Sequence, residues 1–295
     1  MTREEMILQA KETRKRVTNA PVSEAELARF PVSLEKTDIP VRDGRVTAYI
    51  SRISEGREYN GKRPVIVNLH GGGFIRERTP NDELFCRRMT HAVGCMVVDV
   101  DYKIAPDYPY PTALYESYDA VKWVRDNAQE LNVSADRIIL TGHSAGGNLI
   151  CGINMLMAAD DESGIFANVI EYPPLDLYTD PDDKPQNGKA IPAERAKLYN
   201  LYYCDRERQR EPLASPVFAP AEMLGGFAPT MVITAGLDSL CNEGEQFALH
   251  LAQAGVETTL VRFPQEDHAF TIYRRGDWEK ANELIFGYIK RRLLV

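Results

Sequence analysis

Hydrophobic positions along the chain follow two rhythms. Short, mostly apolar runs recur at Pro64–Leu69, Cys95–Val100, Arg137–Thr141, Val169–Tyr172, Thr230–Thr234 and Thr258–Phe263. Runs without a regular polar alternate imply burial on both faces, as in strands of a parallel sheet covered by helices. Between them lie stretches with a 3.6-residue period: Asp82–Val93, Ala113–Leu131, Ala145–Ala158, Glu243–Ala254 and Trp278–Leu294. In the last, Ala281, Leu284, Ile285, Tyr288 and Ile289 form one apolar stripe. Gly255 marks a helix end, and Asn132–Asp136 reads as a turn before the next strand. The alternation predicts one α/β domain over residues 1–295, with a mostly parallel, doubly wound sheet. Val41–Tyr49, with Asp43-Gly44 between extended runs, predicts an antiparallel hairpin at the sheet edge.

Two stretches break the rhythm. Residues 1–35 are helical in pattern but precede the first strand. Residues 177–212 hold a polar loop, Asp180–Gly188, and then a helical run with Leu198, Leu201 and Tyr202. Both are expected to form a small helical cap over the functional edge of the sheet and not a second domain. No fixed-period repeat is present, which excludes a solenoid.

Charge and cysteine content narrow the function classes. Lys and Arg number 35 against 43 acids, a net charge of −8 that disfavours a nucleic-acid-binding surface. The first residues alternate charged and apolar side chains, unlike a signal peptide, and the longest apolar runs are strand-sized, so no membrane partner is expected. The five cysteines are odd in number and lack paired or zinc-type spacing. A reduced, cytoplasmic protein with buried thiols and no metal is the expectation.

Chemistry enters at the strand ends. Gly142-His143-Ser144-Ala145-Gly146 fits G-x-S-x-G between a predicted strand and a predicted helix. A nucleophile at such a turn needs small residues two before and two after it, and it emerges at the helix N-terminus. A phosphate loop is excluded, because no Walker lysine follows and the dinucleotide glycine spacing is absent. His70-Gly71-Gly72-Gly73 follows the first central strand directly. Consecutive glycines let backbone N–H groups approach a substrate, so an oxyanion hole is expected from Gly71, Gly72, Gly73 and Ala145. Within it Gly72, Gly73 and Ala145 supply the donors and Gly71 shapes the turn.

Five histidines allow the base to be found by elimination. His70 belongs to the glycine loop, where packing and hydrogen bonding would hold the loop. His143 adjoins the serine and points elsewhere at a sharp turn, while His91 and His250 fall inside predicted helices. His268 remains, in a loop after the Thr258–Phe263 strand, where a general base must sit to reach the serine hydroxyl. Asp238 follows the preceding strand and is the expected orienting acid. Asp267, immediately next to His268, is badly placed to hold its far ring nitrogen. The chain order Ser144, Asp238, His268 is the one expected of this fold.

Taken together, His70–Phe74, Asp101-Tyr102-Lys103-Ile104-Ala105-Pro106-Asp107, Gly142–Asn148, Gly236–Leu240 and His268-Ala269-Phe270 closely resemble the hormone-sensitive-lipase-like carboxylesterases. The resemblance runs from about Arg63 to the C-terminus. It implies a cap built from the N-terminal helices and the insertion before Asp238, and hydrolysis of small acyl esters without metal or cofactor. Two positions depart from the commonest pattern: His143 stands where an acid is usual, and Asn242 where a second Asp often follows the catalytic one.

The expected chemistry is double-displacement acyl transfer on a small-molecule carboxylic ester of short acyl chain. Tyr199, Tyr202, Tyr203 and Phe218 are candidates for an aromatic substrate pocket. An amide or formamide hydrolase would use the same triad. A non-catalytic small-molecule receptor on this fold is expected to lack the base, and His268 speaks against it. The terminal helix is compatible with covering one subunit's core or with a homodimer.

Overall fold

The apolar runs become one eight-stranded sheet. Its strands are β1 (Ser33–Val41), β2 (Gly44–Arg52), β3 (Val65–Leu69), β4 (Met96–Asp101), β5 (Ile138–His143), β6 (Ile165–Glu171), β7 (Thr230–Ala235) and β8 (Thr258–Phe263). Their order across the sheet is β1-β2-β4-β3-β5-β6-β7-β8. β2 runs antiparallel to both β1 and β4, and the remaining pairs are parallel. This is the fold expected from the alternation of strand and helix. The coordinates are a computed structural model that describes residues 2–16, 21–54, 56–162, 164–187 and 189–294.

The helices are α1 (Arg3–Arg16), α2 (Glu24–Ala28), α3 (Pro80–Met89), α4 (Thr112–Asp126), α5 (Ala128–Leu131), α6 (Ala145–Ala159), α7 (Ala193–Tyr203), α8 (Ala221–Leu224), α9 (Cys241–Gln253) and α10 (Trp278–Leu293). α3 starts two residues before the expected Asp82. Thr79 and Asp82 cap its first turn reciprocally, and Pro80 takes a first-turn position where its missing N–H costs nothing. The expected helix over 113–131 divides at Asn127 into α4 and α5 and ends at Asn132 in the left-handed conformation, φ 56°.

β3, β5 and β7 are buried along their whole length, which explains their unbroken apolar runs. Successive residues point to opposite faces. Val65, Val67 and Leu69 therefore join one core layer with residues of α4 and α6. Ile66, Val97 and Ile139 join the other with residues of α3 and α10. The edge hairpin is longer than the 41–49 expected. Only Ile39 of β1 is buried, so its other residues are free to be polar and hide the strand from an apolar scan.

Of the two expected cap stretches, residues 1, 17–20 and Gly188 lie outside the described residues. α1 and α7 sit against the loops leaving β3 and β4, whereas α2 packs on α3, and residues 33–35 of the expected cap belong to β1 instead. Arg14 of α1 donates to the Ile75 carbonyl at 2.6 Å and the Ala105 carbonyl at 2.8 Å. Tyr203 of α7 stacks on Phe74 with ring centres 3.6 Å apart. All five cysteines are buried free thiols. Among the described residues no helix is long and apolar enough to cross a membrane.

Candidate active site

Ser144 stands between the end of β5 and the start of α6 with φ 53° and ψ −122°, a backbone conformation L-residues rarely adopt. The neighbourhood holds it there. The Ser144 N–H donates to the Glu171 carbonyl at 2.8 Å, and Gly146 brings α6 against β3 so closely that any Cβ would collide with the Leu69 carbonyl. The N–H of Ala145, at the first helical position, has no intrahelical partner.

The loops after β7 and β8 bring two further side chains to this turn. His268 Nε2 lies 2.9 Å from Ser144 Oγ, and its Nδ1 lies 2.6 Å from Asp238 Oδ2. Asp238 is 1% exposed, and the Leu240 N–H donates to its Oδ1 at 3.2 Å. The imidazole thus bridges a hydroxyl and a fixed carboxylate, the geometry needed to take a proton from one and have its cation stabilised by the other. Asp267 turns away and pairs with Arg275 at 2.8 Å.

The glycine loop leaves β3 beside the serine. His70 is fully buried, stacks on Tyr102 at 4.2 Å and lies 2.8 Å from the Gly71 carbonyl, so it braces the loop. Gly73 has φ +61°, and the Tyr199 ring occupies the space a Cβ would need. Gly71 differs from its neighbours as an oxyanion-hole candidate. Its N–H lies 2.9 Å from His143 Nε2, a contact that ties the glycine loop to the turn before Ser144, in keeping with the loop-shaping role expected of it.

His143 introduces a partner not foreseen in the sequence. Its Nε2 lies 3.0 Å from Asp82 Oδ1, and both side chains are 5% exposed. Burial alone would raise the Asp82 pKa. The hydrogen bond and charge of His143, the charge of His70 and a Thr79 hydrogen bond outweigh it and hold this carboxyl well below the usual range. The signal was present in two fragments: a histidine where an acid is usual, and a Thr-x-x-Asp cap at 79–82.

A cavity of about 440 Å³ opens over Ser144, within the size range of small-molecule sites. Its walls include Gly72, Gly73, His268, Pro174, Ile191, Leu240 and Ile272. Of the aromatic candidates only Tyr199 lines it. Tyr202 and Tyr203 are 1% and 0% exposed within the core, and Phe218 packs edge-on against Tyr178, so these three are corrected. Aromatic type alone does not tell which helical face looks into a cavity. Arg76, Arg195 and Tyr273 line it and were missed. Burial raises the Tyr199 hydroxyl pKa, opposed by the nearby charges of Arg195 and Arg76. Among the described residues no group of three or more His, Cys, Asp or Glu is gathered to hold a metal ion.

A family model described as the alpha/beta hydrolase fold matches residues 66–272. The chain belongs to that family. An arylesterase of Saccharolobus solfataricus is similar to this α/β hydrolase at 31% identity over 260 residues, 87% of this chain and 80% of that one. The carboxylic ester hydrolase LipN of Mycobacterium tuberculosis is 30% identical over 268 residues, 86% of this chain and 69% of that one. Among solved structures, a hyperthermophilic esterase from Pyrobaculum calidifontis superposes with a TM-score of 0.83 at 28% identity, covering 100% of this chain and 93% of that one. The resemblance to hormone-sensitive-lipase-like carboxylesterases read from the motifs therefore stands. Of the two departures, His143 lies inside the α/β hydrolase's site, whereas Asn242 is exposed in the first turn of α9.

Proposed function

We propose that this α/β hydrolase cleaves carboxylic esters of short acyl chain with Ser144 as nucleophile, His268 as general base and acid, and Asp238 as orienting acid. Relatives that are esterases support ester hydrolysis. The observation that carries the mechanism is the chain of contacts from Ser144 Oγ through His268 to Asp238, 2.9 and 2.6 Å. α1 and α7 would act as the cap.

In the first step Oγ attacks the ester carbonyl while its proton passes to His268 Nε2. The carbonyl oxygen becomes an oxyanion facing the N–H groups of Gly72, Gly73 and Ala145. One such donor is worth roughly a hundred- to a thousandfold in rate. Collapse breaks the ester C–O bond, and His268 returns the proton to the departing alcohol. Water then attacks the acyl-enzyme with His268 as base, releasing the acid and restoring Ser144. Asp238 holds Nδ1–H and steadies the imidazolium without taking a proton.

Hydrolysis of a p-nitrophenyl ester series, acetate to dodecanoate, by wild type and Ser144→Ala tests this reading. Turnover concentrated at short chains and lost in the variant is expected. Turnover that survives in Ser144→Ala, or none at any length from folded wild type, would sink it.

A further inference from the structure

Beside the nucleophile turn lies a buried acid that takes no part in the reaction as written. Glu171 closes β6, and its side chain is fully buried. Its neighbours in the strand, Val169 and Ile170, are buried and apolar. A third apolar residue would fold there at less cost, because a carboxyl is expensive to take out of water. Burial raises the pKa of this carboxyl, opposed by the charge of His143 and by hydrogen bonds of Thr271 and Tyr172.

Glu171 reaches three parts of the site. Its backbone carbonyl accepts the Ser144 N–H at 2.8 Å. It is the register partner of His143 on β5, and such partners on parallel strands point to the same face. Its Oε2 accepts from Thr271 Oγ1 at 2.7 Å. The Thr271 hydroxyl has one proton to give, so in its contact with the Tyr172 hydroxyl it accepts. Both donors therefore run towards the carboxyl. Thr271 lies three residues after His268, and the Tyr172 ring stands edge-on to the imidazole with centres 5.1 Å apart.

The backbone around these contacts is strained. Ser144, Tyr172 and Ala269 hold φ of 53°, 37° and 62°, where L-residues are rare. Residues of this kind persist only where their surroundings over-determine them. Ser144 hangs on the Glu171 carbonyl, Tyr172 is the next residue in the chain, and Ala269 lies between His268 and the Thr271 that Glu171 engages. One buried side chain thus meets the supports of both nucleophile and base.

We propose that Glu171 is a positioning residue: its carboxyl, acting through Thr271 and Tyr172, holds the His268 imidazole in line with Ser144 Oγ. The inference rests on the triad reading above and adds a residue to it. The carboxyl touches neither substrate nor a reacting atom, so its loss should show in kcat and leave KM alone.

The test measures kcat and KM on p-nitrophenyl acetate for Glu171→Leu, Glu171→Gln, Thr271→Val, Thr271→Ser and the double variant Glu171→Leu with Thr271→Val. Circular dichroism checks that each is folded. Glu171→Leu and Thr271→Val should each lower kcat by about ten- to a hundredfold, with KM within about twofold of wild type. Glu171→Gln keeps an oxygen that accepts from Thr271, and Thr271→Ser keeps the hydroxyl, so both should recover most of the loss. The double variant should lose little more than either single one, because both cut the same link. Folded Glu171→Leu or Thr271→Val with the kcat of wild type overturns the proposal. So do losses confined to KM, losses that multiply in the double variant, or no recovery in Glu171→Gln and Thr271→Ser. Should Glu171→Leu fail to fold, Thr271→Val, which exchanges a hydroxyl for a methyl group, carries the test. Wild-type turnover and its loss in Ser144→Ala report the triad reading separately, so a failed triad and an idle Glu171 are told apart.

Discussion

His268 with Asp238 and His143 with Asp82 use the same residue types on two sides of Ser144, yet they are wired differently. In the first pair each ring nitrogen has its own partner, Asp238 at 2.6 Å and the serine hydroxyl at 2.9 Å, so a proton has a route. In the second, Nε2 alone meets both the Gly71 N–H at 2.9 Å and Asp82 at 3.0 Å, while Nδ1 is buried without a partner. One nitrogen cannot accept from the first and donate to the second at once, so the tautomer decides which contact is a hydrogen bond. Burial differs in the same sense: the His268 side chain is 18% exposed, that of His143 5%. A His–Asp pair can relay a proton when its second ring nitrogen faces a reacting group; where a single nitrogen meets both the carboxylate and backbone, as in His143, the pair can only brace.

The largest effect that sharpens the contrast is on the first pair. His268→Ala and Asp238→Asn should each lower kcat by about 10⁴-fold or more, measured by steady-state ester hydrolysis. His143→Ala should cost less, about a hundredfold in kcat with little change in KM, because the loop bearing the oxyanion donors loses its hold. His143→Gln should recover part of that loss, since an amide oxygen can accept from the Gly71 N–H. Equal losses in His143→Ala and His268→Ala would break the distinction.

Acid stability probes the brace alone. The Asp82 carboxyl is held below its ordinary pKa, so its contribution is complete above about pH 4 and is lost as pH falls towards the depressed value. Asp82→Asn should therefore be roughly 1–3 kcal/mol less stable than wild type at pH 7, with the gap closing below about pH 4 in urea melts. A gap that widens on acidification would contradict the assignment. The smallest effect is expected at Phe218→Leu, outside the cavity: kcat/KM within about twofold of wild type, set by the same ester assay.

The triad candidates were legible because the fold places functional groups at predictable strand ends. The G-x-S-x-G motif after one apolar run marked Ser144, elimination among five histidines left His268 after another, and the position after the preceding run favoured Asp238 over Asp267. Pocket residues carry no such mark. Tyr199 and Tyr203 lie one helical turn apart on α7, yet one faces the cavity and the other is sealed against Phe74. The His143–Asp82 contact joins residues 61 positions apart through the docking of α3, which no local pattern encodes. β1 was underestimated for the opposite reason: an edge strand needs few apolar residues, so its signal is weak at its true length.

The segment joining β6 to β7 carries α7, and with it Arg195, Ile191 and Tyr199, while Ser144, Asp238 and His268 are anchored to the sheet itself. Part of the cavity wall and the proposed reacting groups are thus carried on separate stretches of chain. A lineage, or an engineer, can exchange the former as a cassette and retune what is accepted without recalibrating how it is cut.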